Sequence, residues 1–244
     1  MVQNKTKLFG NFHTLLSLSI LILICGSNIF AEGQTNFNKK FFDRIEPIKM
    51  KEPFAVALGA MDKDELFVYR YEDAVKMAGH SCLAVSGAYR LTQVALKRLY
   101  GDEIPLRGGI TVTFKGGAEH KVNGPISQVV TLITGAAAEN GFHGFGGGKY
   151  KRRNLLKFDE SSQPPKTAIC SAIFKRVDNG KAVEVTYSKH MLPNNPKIAD
   201  LMPLAISGKG SDEQINEFGN LWHERIKMVL MDDIEGMFVV NEVK

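Results

Sequence analysis

The tetrapeptide Gly79-His80-Ser81-Cys82 is followed directly by the amphipathic run Leu83-Ala-Val-Ser-Gly-Ala-Tyr-Arg-Leu-Thr-Gln-Val-Ala-Leu-Lys-Arg-Leu-Tyr100. Apolar residues recur in this run at spacings of three and four, which predicts a helix over about residues 82–99 that stops at Gly101. Ser81 is a competent N-cap for it. The small residues near the start of the run favour tight packing over a cofactor cradle. We expect the rest of the chain to be arranged around this helix.

His80 and Cys82 are good ligands for soft metals, and they stand one residue apart where a loop turns into a helix. Backbone N–H groups at a helix start stabilise negative charge, so this position favours a thiolate. A thiolate beside an imidazole can bind a transition metal or attack an electrophile. The alternative is a small buried cysteine beside a histidine that is hydrogen-bonded in the core.

The N-terminus has the form of a secretory signal over residues 1–31. Two lysines give a positive start, Leu15 to Ile24 is a short apolar run, and a small residue ends the segment. The apolar run is too short to predict a membrane span. We therefore expect an exported protein, periplasmic or secreted. Lipid anchoring through Cys25 is disfavoured, because Ile24 occupies a position where lipid-modified signals carry a small side chain.

Export would leave a chain with a modest positive charge. Cleavage after residue 31 would remove two of the 31 basic side chains and none of the 26 acidic ones, so the net charge would fall from +5 to +3. This charge gives no reason to expect nucleic-acid binding. The mature chain would keep Cys82 and Cys170, and a disulfide between them is an open alternative that would remove the thiolate.

The remaining pattern predicts one α+β domain over residues 54–244, preceded by an N-terminal arm over residues 32–53. We expect a mixed or antiparallel sheet packed against helices, with no membrane span in the mature chain. Predicted strands are Phe54–Gly59, Ile110–Phe114, Thr167–Arg176 and Ala182–Tyr187, the last two joined by the hairpin turn Asp178-Asn179-Gly180. Further predicted helices are Tyr71–Ala78, Ile126–Ala138, Ile198–Ile206 and Ser211–Met231.

A glycine-rich loop, Gly141-Phe-His-Gly-Phe-Gly-Gly-Gly148, runs into a basic cluster over Lys149–Arg153. This combination can bind phosphate, but no strand leads into the loop and no helix clearly follows it, as phosphate-binding fingerprints require. A solvated basic face is the favoured interpretation. Whether the cluster meets a ligand, a membrane headgroup or only water is left open.

The segment Ala78-Gly-His-Ser-Cys-Leu-Ala-Val-Ser-Gly-Ala-Tyr-Arg90 resembles the FmdE-like proteins, a family named after a component of formylmethanofuran dehydrogenase. Their core opens with Gly-His-x-Cys and a helix that contains a Gly-x-Arg-like step. A helix ending in Thr-Gly (126–135), a glycine/lysine loop (146–149) and a hydrophobic strand (154–158) follow here in the family order. The resemblance covers roughly residues 74–186. It implies an α+β domain, often a homodimer, with a divalent metal at the His-x-Cys site, and it does not imply dehydrogenase activity.

The chain departs from the family pattern at several positions. Leu83 stands where the family usually has Pro, and the additional cysteines expected near Val122 and Ala136 are absent. No terminal Cys-x-x-Cys zinc ribbon is present either. His120 and His143 lie in the segments where those cysteines belong, one on each side of the second predicted long helix.

We therefore predict that His80, Cys82, His120 and His143 converge on one divalent metal. Zinc is the first choice, because three imidazoles and one thiolate suit it well, whereas copper or nickel would be bound less selectively. If only three of the four residues bind, one position stays open for water or substrate.

Four functions are compatible with this interpretation. A metal-binding carrier protein is favoured, because few acid–base candidates are visible. A metal-dependent hydrolase would use Glu119 or Glu139 as its base. A thiol redox or nucleophilic protein would use Cys82 with a neighbouring histidine. A purely structural domain is the fourth. The sequence assigns no catalytic residue.

Overall fold

Six α-helices and seven strands form an α+β fold within residues 35–243, the part of the chain that this computed structural model describes. The helices are α1 (Pro53–Ala57), α2 (Tyr71–Ala78), α3 (Leu83–Tyr100), α4 (Asn123–Thr134), α5 (Pro196–Ser207) and α6 (Asp212–Met231). The strands are β1 (Ile48–Met50), β2 (Phe67–Tyr69), β3 (Ile110–Lys115), β4 (Leu156–Asp159), β5 (Cys170–Arg176), β6 (Ala182–Tyr187) and β7 (Phe238–Val243). The described residues from Phe41 onward form one compact unit. The signal sequence predicted over residues 1–31 lies outside the described residues.

Five of the strands form one mixed sheet in the order β4-β3-β5-β6-β7. Strands β3 and β4 run parallel, whereas the other neighbours pair antiparallel. The predicted hairpin joins β5 to β6, and Gly180 in its turn has a φ of 75°, which suits a glycine. Strands β1 and β2 form a separate antiparallel pair. The prediction of a mixed or antiparallel sheet packed against helices is confirmed, and the five-stranded sheet is mixed.

Buried and partly covered side chains alternate along β3, and this alternation determines which face of the sheet meets the helices. Ile110, Val112 and Phe114 on β3 are completely buried, whereas the threonines between them are only partly covered. Successive side chains of a strand point to opposite faces, so one apolar row faces the core. The register carries this row across the sheet, since Val112 pairs with Phe174 and Phe174 pairs with Val183.

Helix α3 lies at the centre of the fold and contacts α2, α4, α6 and strands β5, β6 and β7. Its closest approach to the sheet is at Gly87, where an added Cβ would lie 2.0 Å from the Tyr187 ring. The same ring stacks on Phe238 at a centroid distance of 4.8 Å. The Tyr187 hydroxyl donates a hydrogen bond to the Leu83 carbonyl at 3.1 Å. The small residues of this helix therefore serve packing, as predicted.

Two segments differ from the sequence prediction. The pattern of Phe54–Gly59 predicts a buried strand, but its first residues belong to α1. Pro53 occupies the first helical turn and the Glu52 carboxylate accepts a hydrogen bond from the Phe54 N–H, and both features start helices. The predicted arm belongs to the folded unit from Phe41 onward and contributes β1. None of the helices in the described residues has the length and apolar character of a membrane span.

A buried ion-pair cluster fastens α1 to the end of the glycine-rich loop. Glu52 is 5% exposed and accepts hydrogen bonds from Arg152 at 2.6 and 2.8 Å and from Arg107 at 2.9 Å. Burial lowers the pKa of Arg152, and the charge of Glu52 opposes that effect. The prediction of a solvated face is wrong for Arg152, because the Glu52 carboxylate gives its guanidinium a buried partner.

We expect Gly87→Ala to lower the free energy of unfolding by about 1–3 kcal/mol, because the added methyl would overpack the contact with the Tyr187 ring. Urea unfolding of both proteins measures the change. Gly219→Ala is the matched control: the site is in the middle of α6, and no atom beyond its two chain neighbours and the helix's own backbone lies within 4 Å of the position that its Cβ would take. That change should be neutral or stabilising. Equal unfolding midpoints for the two variants would contradict the close approach.

We expect Glu52→Gln to lower the free energy of unfolding by about 3–5 kcal/mol, because it leaves two largely buried guanidinium groups without a countercharge. Denaturant unfolding measures this loss. Asp102→Asn is the control, since it removes one partner of the exposed Lys97–Asp102 pair and should hardly move the midpoint. A loss for Glu52→Gln no larger than that of the control would show that the cluster contributes nothing to stability.

Candidate functional site

The Gly-His-Ser-Cys tetrapeptide forms the tight connection between α2 and α3. Gly79 ends α2 with a φ of 75°, and its N–H bonds to the Val75 carbonyl at 2.8 Å. The backbone at this position has a left-handed conformation, which glycine adopts readily. Cys82, and not Ser81 as predicted, is the N-cap residue of α3, in an extended conformation with φ −146° and ψ 174°. The Cys82 side chain makes no capping hydrogen bond, so its thiol is not used by the helix.

Ser81 holds the connection in place from two sides. Its hydroxyl lies 2.8 Å from the Tyr71 hydroxyl, and its carbonyl accepts a hydrogen bond from the Trp222 indole N–H at 3.0 Å. These contacts come from α2 and α6, which flank the connection. His80 and Cys82 are therefore carried on a fixed loop.

The Cys82 thiol is partly exposed and lies within electrostatic range of two buried phenols, Tyr71 and Tyr187. Burial raises the pKa of both tyrosines above their ordinary range, and negative charge on Cys82 acts in the same direction. Both phenols therefore remain neutral at ordinary pH, and the Tyr187 hydroxyl already donates its hydrogen bond to the Leu83 carbonyl.

His80 is exposed, and one of its ring nitrogens is already used. Its Nδ1 lies 2.9 Å from the Ala78 carbonyl oxygen, which can only accept a hydrogen bond. The proton therefore belongs on Nδ1, and the Nε2 lone pair is left free. A metal-binding histidine typically has this arrangement, in which the second nitrogen donates to a carbonyl or carboxylate.

His120 and His143 lie beyond opposite ends of α4, as the sequence indicated. The His120 Nε2 is buried and has no hydrogen-bond partner among residues 35–243, and its ring packs against Gly116. His143 is exposed in the glycine-rich loop, with Nδ1 3.4 Å from the Arg153 guanidinium.

The structure does not assemble the predicted four-residue ligand set of His80, Cys82, His120 and His143. In the described part of the chain, no three His, Cys, Asp or Glu side chains form a group that could hold a metal ion. The 12-residue helix α4 is about 18 Å long and separates the two histidines that flank it. Glu119 and Glu139, the candidate bases, are both exposed.

The second cysteine of the described chain has a packing role. Cys170 is completely buried on β5, and burial raises the pKa of its thiol to about 12. Cys82 and Cys170 are both free thiols, so the disulfide left open by the sequence is not formed.

Sequence reasoning missed the three aromatic side chains around the tetrapeptide. Tyr71, Tyr187 and Trp222 come from α2, β6 and α6, and no spacing in the sequence connects them with Cys82. The one available signal was Trp222 itself, the single tryptophan of the chain, which lies in the predicted helix Ser211–Met231.

Comparisons with known proteins add no relative. No protein-family model matches the chain. A search of curated proteins gives no match either.

We expect alkylation to distinguish the two cysteines in the native protein. Iodoacetamide at pH 8 should modify Cys82 rapidly and leave Cys170 unmodified, because Cys170 is buried and, with a pKa of about 12, only about 10⁻⁴ ionised at that pH. Peptide mapping by mass spectrometry assigns the modified sites. Both cysteines should react after unfolding in urea. Equal reactivity in the native state, or protection of both residues, would contradict this geometry.

Proposed function

We propose that this chain binds a divalent transition metal, with zinc as the first choice, through His80 Nε2 and the Cys82 thiolate. The single observation that carries the proposal is the hydrogen bond between His80 Nδ1 and the Ala78 carbonyl, which leaves Nε2 free as a ligand atom. The free, partly exposed Cys82 thiol supports it. The resemblance of Gly79–Cys82 to the FmdE-like motif supports it as well.

The proposed site is an open one. No carboxylate, second cysteine or second histidine joins His80 and Cys82 as a group within residues 35–243, whereas structural zinc sites are closed by four protein ligands. Two protein ligands leave positions for water, a small molecule or a side chain from a second copy of the chain. Such a site suits reversible binding, and so a carrier protein, better than a permanent structural metal. Export and a homodimeric state remain part of the proposal.

Thiol chemistry at Cys82 is the second candidate. It is favoured by the position of this free cysteine at the start of an 18-residue helix, where the positive end of the helix dipole stabilises negative charge. The hydrolase alternative has less support, because Glu119 and Glu139 are exposed and do not join the His80–Cys82 pair.

Metal binding to purified protein tests the proposal. Zinc affinity, measured by competition with a chromogenic chelator, should fall by at least about 100-fold in His80→Ala and Cys82→Ser, since loss of an outer-shell contact alone costs up to that factor. His190→Ala is the control, because His190 is exposed in a short 3-10 turn away from the site. His120→Ala and His143→Ala should also leave the affinity unchanged. Unaltered binding in both His80→Ala and Cys82→Ser would refute the proposal.

The rate of Cys82 alkylation, measured with and without zinc, distinguishes metal binding from thiol chemistry at Cys82. Under the metal-binding proposal, saturating zinc should slow the reaction strongly, because the sulfur is coordinated. A rate that is independent of zinc would favour thiol chemistry instead.

A further inference from the structure

A cluster of exposed apolar side chains lies where α1 meets the glycine-rich loop. We define the aromatic patch as Phe54, Leu58, Phe142, Phe145 and Tyr150. The Phe54 ring lies 4.9 Å from that of Tyr150, 5.2 Å from Phe142 and 5.8 Å from Phe145, measured between centroids. Phe142 is 41% exposed, Phe145 59% and Leu58 65%. Single exposed apolar residues are ordinary, but a contiguous exposed patch of this kind marks an interaction surface.

The loop presents Phe145 in a fixed turn. The Phe145 N–H bonds to the Lys149 carbonyl at 2.9 Å, and the Lys149 N–H bonds back to the Phe145 carbonyl at 2.8 Å. The glycines between them have positive φ angles of 48°, 84° and 97°, which residues with a side chain rarely adopt. The glycine-rich sequence therefore closes a tight turn that leaves a phenylalanine at the surface.

The patch rests on the Glu52 cluster. The Glu52 carboxylate accepts from the Phe54 N–H at 3.1 Å and pairs with Arg152 at the end of the loop. One buried carboxylate thus fixes the backbone on both sides of the ring cluster.

Basic side chains predominate on the side of the patch that the glycine-rich loop forms. Residues 139–153 carry four basic side chains and one acidic side chain. Lys149 and Lys151 are exposed and form no ion pair with any side chain of the described chain. Glu52 is buried and is shared by Arg107 and Arg152, so the cluster beneath the patch also has an excess of positive charge.

We propose that the aromatic patch, together with Lys149 and Lys151, docks the protein on the surface of an anionic lipid bilayer. Exposed aromatic and leucine side chains enter the interfacial region of a bilayer, while neighbouring lysines attract its acidic headgroups. Single-stranded nucleic acid fits less well, because base stacking requires open ring faces and Phe54 stacks on Phe142 and Tyr150. This inference goes beyond the proposed metal site and does not depend on it.

Co-sedimentation with vesicles tests the docking surface. The full chain is used for every variant, so that residues 1–34 contribute equally to each measurement. The protein should bind vesicles of phosphatidylcholine mixed with phosphatidylglycerol more tightly than vesicles of phosphatidylcholine alone. Lys149→Gln combined with Lys151→Gln should weaken binding to the mixed vesicles by roughly 20- to 30-fold, from about fivefold per lysine, and added salt should reduce this difference.

Loss of the apolar side chains should also weaken binding. Leu58→Ser combined with Phe145→Ser should reduce the affinity by at least about tenfold, because both side chains would leave the bilayer interface. Ile206→Ser is the matched control for an exposed apolar side chain, since Ile206 is 77% exposed in the last turn of α5. Lys189→Gln combined with Lys209→Gln is the matched charge control. Neither control should change vesicle binding.

Three outcomes would overturn the proposal. The first is vesicle binding that is the same for the patch variants and their controls. The second is vesicle binding that does not depend on the phosphatidylglycerol content. The third is a patch that serves another partner: the variants would then abolish dimer formation in analytical ultracentrifugation, or binding to a single-stranded oligonucleotide, while vesicle binding stays unchanged.

Discussion

The contact between Gly87 and the Tyr187 ring is the constraint on which both the core and the candidate site depend. A helix without a Cβ at this position can lie directly on an aromatic ring of the sheet, and any larger residue would push the two apart. The hydroxyl of the same tyrosine bonds to the Leu83 carbonyl, so the ring that supports the helix also fixes its first turn. Cys82 therefore occupies a position defined by the packing of the core.

The Glu52 cluster is the second constraint, and it acts between parts of the chain that are far apart in sequence. A buried carboxylate shared by two guanidiniums is costly to desolvate, and such a group contributes most by fixing one arrangement of its neighbours. Here it fixes α1 against the end of the glycine-rich loop. That arrangement gathers rings from the loop and one short helix into a surface patch. Of the basic cluster over Lys149–Arg153, Arg152 is the residue that pairs with buried Glu52. Lys149 and Lys151 therefore remain exposed beside the patch.

The two candidate surfaces differ in how far the sequence could reveal them. His80 and Cys82 are one residue apart in the chain, so the proposal that they bind one metal needed no tertiary structure. The extension to His120 and His143 relied on their lying in the segments where the FmdE-like family has its additional cysteines, but the length of α4 separates the two histidines. The aromatic patch could not be predicted from the sequence for a related reason. The local pattern places Phe54 in a strand, and its ring partners are about 90 residues away, so nothing in that pattern joined them.

The sequence by itself determined the parts that local physics controls: α3 with its apolar spacing and stop at Gly101, the β5–β6 hairpin with its Asn-Gly turn, and a mixed or antiparallel sheet packed against helices. Periodicity and turn chemistry act over a few residues, so they can be read from the chain directly. Only the tertiary structure decided that Arg152 is buried, that Cys170 is a core thiol separate from Cys82, and that Tyr71, Tyr187 and Trp222 surround the tetrapeptide. Each of these depends on contacts between elements distant in sequence, where packing and charge pairing leave no periodic trace.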